Sequence, residues 1–197
     1  SGFYVDYTLI PMKEGEKVIG AVVTFRDITE RKSHEEQLAH QATHDSLTGL
    51  ANRTILNDRI GLLIERAVRE KSAIALLLLD LDRFKEINDS LGHGAGDELL
   101  QDMATLLSDL MRDSDTVARL GGDEFVILVE MNTADSAIPV AQKILEALKE
   151  PFSISGREVF ASTSIGISLY PKDGASGEEL LKNADVAMYL AKKQGRN

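Results

Sequence analysis

The 197-residue sequence contains no cysteine, which excludes disulfide bonds, thiolate catalysis and cysteine-based zinc sites. A chain of this kind is compatible with a reducing compartment. Basic residues are outnumbered: 22 lysines and arginines against 32 aspartates and glutamates give a formal net charge of -10. Nucleic acid and anionic membranes require a basic surface, so neither is an expected partner. A small anionic ligand stays open, because a metal ion or a few placed cations can reverse the local field.

Long apolar runs are missing as well. The run at residues 74–79 is far too short to cross a bilayer, and no signal-peptide pattern opens the chain. We therefore expect a cytoplasmic segment without membrane contact, and leave open an anchor elsewhere in a longer protein. Apolar residues make up 43% of the sequence, which suffices for a buried core. The length suits one good-sized domain and a smaller piece.

Several common nucleotide and metal motifs are also absent. No Gly-x-x-x-x-Gly-Lys-Ser/Thr loop occurs, which excludes a P-loop nucleotidase. The glycines of residues 92–96 do not fit the dinucleotide-binding fingerprint. Asp80-x-Asp82 begins like an EF-hand loop, but Lys85 and Leu91 replace the glycine and the glutamate that such a loop requires.

The N-terminal part predicts a hairpin followed by a helix. Two strand-like runs, residues 3–10 and 18–28, flank a polar turn around Gly15, and a polar helix then extends to about His44. The segment 25–32 resembles the end of a PAS sensor domain, where an Asp-Ile-Thr motif leads into a signalling helix. A charged linker helix is the simpler interpretation, and both can hold. The predicted boundaries are residues 1–28 for the hairpin and 29–44 for the linker helix.

The remainder predicts an α+β fold, with a mixed, largely antiparallel sheet flanked by helices. An apolar strand at residues 73–81 is too hydrophobic to have a wet face and should be central. Asn52 is a candidate cap for a helix whose apolar face is Ile55, Ile60, Leu63, Ile64 and Ala67. Later elements are predicted as a helix at 84–91, a turn at 92–96, helices at 97–111 and 134–148, and a hairpin pairing 152–154 with 159–169. A capping box at residues 176–179 begins the last helix, which includes Leu190 in its apolar face and ends near Gly195.

A second hairpin prediction concerns residues 118–129, where the turn has the sequence Gly121-Gly122-Asp123-Glu124. Glycines at such a turn permit positive φ and close approach of a ligand to the backbone. Strand alternation puts Asp80 and Asp82 on one side of the central strand, at its end. If Asp80 and the Asp123–Glu124 pair meet at one sheet edge, they can hold Mg²⁺ over phosphates. Taken alone, the turn is better explained as a solvated hairpin turn that uses glycine and aspartate for its geometry.

Further motifs lie in order along the chain: Asp45-x-Leu47-Thr48-Gly49-Leu50-x-Asn52-Arg53, Asp80-Leu81-Asp82-x-Phe84-Lys85-x-x-Asn88-Asp89 with Gly96-Asp97, Gly121-Gly122-Asp123-Glu124-Phe125, and Ala191-Lys192-x-x-Gly195-Arg196-Asn197. Together they resemble the GGDEF domain of the bacterial diguanylate cyclase family, over residues 45–197. The resemblance implies a nucleotidyl-cyclase or palm-like fold and the condensation of two GTP molecules into cyclic di-GMP with release of two pyrophosphates.

The resemblance also implies roles for individual residues. Asp80, the Leu81 carbonyl, Asp123 and Glu124 would bind Mg²⁺, with Mn²⁺ as an alternative, and either Asp123 or Glu124 would help to deprotonate the attacking hydroxyl. The remaining implied contacts are with GTP: Gly121 and Gly122 at the phosphates, the N–H groups of Phe84 and Lys85 at the β- and γ-phosphates, Lys192 and Arg196 at the triphosphate, and Asn88 and Asp97 at guanine. Each of these residues could also have an ordinary structural role as a cap, a turn residue or a helix-end charge.

Regulation and assembly follow from the same resemblance. Arg112-Asp113-Ser114-Asp115 matches the Arg-x-x-Asp site at which such enzymes bind their product, so Arg112 and Asp115 are a predicted inhibitory site for cyclic di-GMP. Because each domain would present one GTP, activity requires a homodimer. Two alternatives remain open. In the first, the domain is a GTP- or cyclic di-GMP-binding regulatory module, which a phosphodiesterase domain could follow. In the second, it is a dimerising signalling adaptor that binds no nucleotide.

Overall fold

The computed structural model describes residues 3–131 and 137–195, except for the side chains of residues 14 and 36–39. The chain forms two units, Ser1–Ala42 and Thr43–Asn197. In the first unit, strands β1 (Val5–Glu14) and β2 (Lys17–Asp27) pair as an antiparallel hairpin, and helix α1 spans Thr29–Thr43. The Asp27 carboxylate accepts a hydrogen bond of 2.9 Å from the Thr29 amide where α1 begins. The predicted hairpin and helix are confirmed.

The second unit alternates helices and strands. In chain order they are α2 (Arg53–Glu70), β3 (Ala73–Leu81), α3 (Phe84–Leu91), α4 (His93–Leu110), β4 (Thr116–Gly121), β5 (Glu124–Met131), α5 (Ala137–Ala147), β6 (Phe152–Ile154), β7 (Arg157–Val159), β8 (Thr163–Tyr170) and α6 (Gly177–Gln194). None of the helices in the described residues is both long enough and apolar enough to cross a bilayer.

The central sheet has the strand order β4-β5-β3-β8, and each neighbouring pair is antiparallel. β3 therefore has partners on both edges, and most of its side chains are buried. A strand with both faces covered needs an apolar residue at nearly every position, which explains its uninterrupted hydrophobic sequence. The predicted α+β fold, with an antiparallel sheet flanked by helices, is confirmed.

Helices cover both faces of this sheet. Ala75, Leu77, Leu79 and Leu81 of β3 belong to a core that includes side chains of α4 and α5. The alternate residues Leu76 and Leu78 join a second core, which includes Leu56 and Ile60 of α2 and Leu180, Ala184 and Met188 of α6. The two-residue alternation of a strand thus divides the interior into two layers. The second core layer extends to the end of the sheet at which β3 ends and β5 begins.

Some predicted elements differ in the structure. The turn predicted at residues 92–96 is wrong, because α4 already begins at His93 and only Gly92, at φ 89°, separates it from α3. The strand predicted at 159–169 is divided: β7 pairs with β6, whereas β8 joins β3 in the central sheet. The helix predicted at 134–148 is observed as α5, and its predicted first residues lie outside the described part of the chain.

Two side chains assigned to apolar faces also differ. Leu190 of α6 is exposed, since residues 180, 184 and 188 already complete the buried stripe of that helix. On α2, Leu56 is fully buried, whereas the predicted Ile55 is only half-buried. The helix is rotated slightly from the face that periodicity alone favoured.

Candidate active site

Asp80 and Glu124 lie opposite each other at one end of the central sheet. They are register partners in the antiparallel pair of β3 and β5. Because side chains alternate along a strand, both project to the face of Leu78 and Val126, which is covered by α2 and α6. From α6, Lys192 places its ammonium 2.6 Å from Asp80 Oδ1. Three residues that are far apart in the sequence thus place two carboxylates and one cation together at one end of the sheet.

The carboxylates at this edge affect each other's ionisation. Burial raises the pKa of Asp80, with a further increase from Asp123, and the hydrogen bond from Lys192 opposes it. Burial likewise raises the pKa of Glu124, and Asp80, Asp123 and Asp185 add to this effect, while Arg53 opposes it. Such mutual repulsion shows that the acidic side chains share a common environment. A bound cation would relieve it.

The acidic residues at this end of the sheet have the chemistry of a divalent-metal site. Their donors are carboxylate oxygens, the type that Mg²⁺ and Mn²⁺ prefer. Among residues 3–131 and 137–195, however, no three acidic or histidine side chains are already arranged to hold a metal ion. The Lys192 ammonium lies 2.6 Å from Asp80 Oδ1, so this oxygen already has a cationic partner where a metal ligand would be needed. The chemistry of the donors therefore fits, and binding would require Lys192 to share or release Asp80.

The β4–β5 turn is bound to the body of the domain by Arg119. Its guanidinium donates from Nε and Nη2 to the Gly122 carbonyl at 3.1 and 2.7 Å, and from Nη1 to Asp45 Oδ1 at 2.8 Å. Asp45 also accepts hydrogen bonds from the amide and the hydroxyl of Thr48. Arg119 is 9% exposed. The opening motif of the domain and the turn that carries Asp123 are thus linked through one buried ion pair.

Gly121 and Gly122 make this turn possible. Their φ angles are 134° and 56°, which side chains other than glycine rarely adopt. A Cβ added at either position would have no neighbour within 4 Å. The glycines are therefore required by the backbone conformation, and the turn presents bare backbone to the surrounding space.

Asp82 forms a separate, buried cluster next to Asp80. Its carboxylate accepts hydrogen bonds from Ser162 Oγ at 2.9 Å and Ser164 Oγ at 2.8 Å, and its amide donates to the Ser162 carbonyl at 2.9 Å. The Thr163 hydroxyl donates to the Asp80 carbonyl at 2.9 Å. The start of β8 thus fixes the end of β3. This role of Asp82 was not predicted, and the serine-rich start of β8 was the available signal.

The segment that follows β3 supplies backbone N–H groups. Arg83 has φ 58° and precedes α3, whose first residues are Phe84 and Lys85. The N–H groups in the first turn of a helix have no carbonyl partner within that helix, so an anion can accept from them. Leu81 donates its amide to the Asp123 carbonyl at 3.2 Å, which joins this segment to the hairpin turn.

The residues predicted to recognise guanine lie on the two helices joined at Gly92. Asn88 is half-buried on α3, and its side chain contacts the buried Gly96 of α4. Asp97 follows Gly96 and is exposed. Arg196, predicted at the triphosphate, lies outside the described residues.

Arg112 and Asp115, the predicted product site, are hydrogen-bonded to each other. The Arg112 amide donates to Asp115 Oδ2 at 3.0 Å, and the Asp115 amide donates to the Arg112 carbonyl at 2.9 Å. Both residues line a cavity of about 650 Å³ that also includes Met131 and Lys143. Because this cavity lies at the far end of β5 from Glu124, it is about 20 Å along the strand from the acidic cluster. The structure thus brings Arg112 and Asp115 together, and it separates them from the acidic cluster at Asp80 and Glu124.

Comparison with known proteins shows the family. The family model described as "Diguanylate cyclase, GGDEF domain" matches residues 42–197. The chain therefore belongs to the GGDEF domain family. It is 48% identical over 161 residues to the bifunctional diguanylate cyclase/cyclic di-GMP phosphodiesterase MucR of Pseudomonas aeruginosa, covering 82% of this chain and 24% of that protein. The chain thus spans about a quarter of the length of this relative.

Solved structures agree with this assignment. The crystal structure of the GGDEF domain of YfiN (TpbB) from P. aeruginosa has a TM-score of 0.74 at 42% identity, covering 76% of this chain and 94% of that one. A structure of the coiled coil and GGDEF domain of DgcB from Caulobacter crescentus, in complex with c-di-GMP, has a TM-score of 0.75 at 27% identity and covers 86% of this chain and 90% of that one.

Proposed function

We propose that this chain condenses two GTP molecules into cyclic di-GMP, with release of two pyrophosphates. The observation that supports this most is the juxtaposition of Asp80 and Glu124 across β3 and β5, beside the Lys192 ammonium. Partly buried carboxylates with raised pKa, next to glycines that leave the backbone bare, suit a site for a cation and a phosphate chain. A relative named diguanylate cyclase TpbB has a GGDEF domain whose fold is similar to that of this chain.

In the proposed reaction, the chain's own residues bind and orient the nucleotide. Asp80, the Leu81 carbonyl, Asp123 and Glu124 would hold Mg²⁺ or Mn²⁺. When bound, the metal would supply positive charge to the α-phosphate and the leaving pyrophosphate. The amides of Phe84 and Lys85 would donate to the terminal phosphates, and Lys192 would move from Asp80 toward them. Arg196 is proposed as a further phosphate contact.

Two further steps depend on side chains of the same domain. Asp123 or Glu124 would accept the proton of the attacking 3′-hydroxyl. Asn88 and Asp97 would recognise guanine. A carboxylate accepts from both N1–H and the 2-amino group of guanine, and adenine offers neither donor in that arrangement.

Product analysis tests the reaction. The chain is incubated with GTP and Mg²⁺, and the products are separated by anion exchange, for the parent and for Asp123→Asn and Glu124→Gln. Glu130→Gln is a matched control, because Glu130 lies on the same strand and pairs with Arg66 instead. We expect cyclic di-GMP from the parent and from the control, and none from the two site variants. Equal product from Glu124→Gln would refute the assigned site.

Activity is proposed to require a homodimer, because one domain would present only one GTP. The specific rate should therefore fall on dilution, as the dimer dissociates. A specific rate that is constant down to concentrations at which sedimentation shows only monomer would contradict this proposal. The linker helix α1 is proposed as part of the dimer contact, and a parallel coiled-coil fusion before α1 should restore the rate at low concentration.

Product inhibition is proposed at Arg112 and Asp115. An arginine can donate in a bidentate manner to guanine O6 and N7, and the cavity beside them contains about 650 Å³ with the further cation Lys143. Arg112→Ala should weaken inhibition by cyclic di-GMP and leave the initial rate unchanged. If the variant is inhibited at the same product concentration as the parent, the product binds elsewhere.

A regulatory role is the alternative. It is favoured by the ion pair between Lys192 and Asp80, because the Lys192 ammonium has to share or release Asp80 before the carboxylate can bind a metal. The relative MucR is named as both a cyclase and a phosphodiesterase. A domain that binds GTP or cyclic di-GMP and controls a phosphodiesterase in a longer protein would show nucleotide binding without turnover. Calorimetry with GTP and Mg²⁺, beside the product assay, distinguishes the two functions.

The N-terminal unit is proposed as the end of a PAS-like sensor and its signalling helix. Apolar side chains such as Tyr7, Leu9 and Phe25 are exposed on its two-stranded sheet. Because an isolated hairpin is marginally stable, these side chains suit a larger sheet that would cover them. If a longer segment of the natural protein is expressed and these side chains remain fully exposed, this part of the proposal fails.

A further inference from the structure

The crossing of α3 and α4 leaves no room for a side chain at Gly96. A Cβ placed there would lie 1.9 Å from Asn88 Oδ1, 2.9 Å from Asn88 Cγ and 3.2 Å from Phe84 Cζ. A real Cβ atom essentially never lies within 3.0 Å of such a neighbour. The carboxamide of Asn88 therefore occupies the volume that any larger residue at position 96 would need.

The backbone does not explain this glycine. Gly96 is helical, in the first turns of α4, and its φ is not among the positive values recorded for other glycines. A helix favours alanine over glycine at such a position. Gly94, which lies two residues earlier in the same helix, would place a Cβ in open space. Gly96 is buried and Gly94 is exposed, and the shortest distances that a Cβ would meet at Gly96 are to the Asn88 side chain.

The neighbour that conflicts with a side chain at 96 is flexible at its end. If alanine replaces Gly96, rotation of the Asn88 side chain relieves the two shortest distances without movement of the α3 backbone, and the Phe84 ring has to give by a few tenths of an ångström. The fold would then survive, and the main consequence would be a changed position of the Asn88 amide. Asp97 directly follows Gly96, so the same turn of α4 carries the other residue proposed to recognise guanine.

We propose that Gly96 is a specificity-determining positioning residue, which keeps the Asn88 carboxamide in place for recognition of guanine. This inference rests on the proposed function, in which Asn88 and Asp97 recognise the base of GTP. Gly96 itself would not touch the nucleotide. It would act by leaving space for a polar group that discriminates guanine from adenine.

Binding of GTP and ATP, each with Mg²⁺, tests the proposal by calorimetry on the full chain. The variants are Asn88→Ala, Gly96→Ala, the double variant, and Gly94→Ala as the control. We expect Asn88→Ala to weaken GTP binding about tenfold and ATP binding little, as befits loss of a buried hydrogen bond. Gly96→Ala should match it within about threefold, and the double variant should be no weaker than Asn88→Ala alone. Gly94→Ala should bind as the parent does.

A second measurement reports the position of the Asn88 amide independently of guanine binding. In nuclear magnetic resonance spectra, the side-chain amide signals of Asn88, assigned by their loss in Asn88→Ala, should shift in Gly96→Ala and stay in place in Gly94→Ala. Melting temperatures of all variants show that each is folded.

Each contrary outcome has a distinct meaning. Parent-like GTP binding by Gly96→Ala overturns the proposal, and so does a double variant much weaker than Asn88→Ala, since Gly96 would then act by another route. If Asn88→Ala itself binds GTP and ATP as the parent does, the guanine role in the proposed function fails, and the specificity role of Gly96 falls with it. Shifted Asn88 signals in that case would show that the packing is as described and the recognition is not.

Discussion

Replacement of Arg119 should destabilise the domain far more than replacement of an arginine with similar ion pairs on the surface. The Arg119 guanidinium is 9% exposed and donates to the Gly122 carbonyl and to Asp45. Arg119→Met keeps an unbranched apolar stem and removes every one of these donors. It leaves the Asp45 carboxylate and the turn carbonyl without their cation.

The magnitude follows from burial. Removal of one partner of a buried ion pair costs about 3–5 kcal/mol, and a hydrogen bond from a charged donor is worth about 1.5–3 kcal/mol. The Asp45 side chain is 20% exposed, so water compensates part of its lost partner. We therefore expect about 3 kcal/mol, which corresponds to a decrease of about 6–12 °C in the melting temperature of a domain of this size.

Thermal unfolding followed by circular dichroism measures this change, with Arg66→Met as the matched control. Arg66 forms ion pairs of 3.0 Å with Glu70 and with Glu130, but its side chain is 51% exposed. Because solvent screens exposed pairs, the control should shift the melting temperature by less than a quarter of the effect at Arg119. Equal shifts for the two variants would refute the argument that burial makes the Arg119 pair important.

Two further predictions concern pH and packing. Burial raises the pKa of Asp45, but the hydrogen bonds from Thr48 and Arg119 outweigh burial and lower this pKa below its usual value. The ionised Asp45 should therefore stabilise the fold above about pH 4, and this stabilisation should be lost as the pH falls through the folded-state pKa. Urea unfolding of the parent from pH 5 to 2.5 should show this loss, Asp45→Asn should flatten that slope, and equal slopes would contradict the assignment. Gly166→Ala should lower stability by about 1–3 kcal/mol, because a Cβ on β8 would lie 2.0 Å from the Ala184 carbonyl of α6. Gly61→Ala meets nothing within 4 Å and should stabilise α2. A stable Gly166→Ala would show that α6 adapts to β8.

The central strand could be predicted because its sequence is unambiguous. An uninterrupted apolar run of strand length, ending in Asp80, is typical of a strand buried on both faces. The hairpin at Gly121-Gly122 was likewise predicted from local turn chemistry, and its φ angles agree. The strand positions also predicted that Asp80 and Glu124 meet, and the family resemblance added the predicted roles of the other segments.

Other features depend on contacts that no local pattern encodes. Arg119 and Asp45 are 74 positions apart, and nothing in either neighbourhood specifies the other as its partner. The glycine-rich segment 92–96 resembled a turn, yet packing against α3 stabilises it as the first turn of α4. Tertiary contacts also divide the strand predicted at 159–169, because β8 pairs with β3. The side chain of Ser164 contacts Asp82, and that of Ser168 contacts α6.

The site itself was predicted in part. Asp80 and Glu124 meet as their strand positions suggested, whereas the ion pair of Lys192 with Asp80 emerges only from the packing of α6. The role of Asp82 in fixing β8 could not be separated, from sequence, from the role of Asp80 two residues earlier. Identical residue types at alternate positions of a strand end can serve different purposes, and only burial and partners distinguish them.

Phosphorus nuclear magnetic resonance of one reaction mixture tests the central claim most directly. The full chain is mixed with GTP and Mg²⁺, beside the Glu124→Gln variant. If Asp80 and Glu124 support condensation, the triphosphate signals should give way to pyrophosphate and to a cyclic phosphodiester, with one cyclic dinucleotide for every two pyrophosphates, and the variant should leave GTP intact. Formation of GDP and inorganic phosphate, or the same products from the variant, would contradict the proposed reaction.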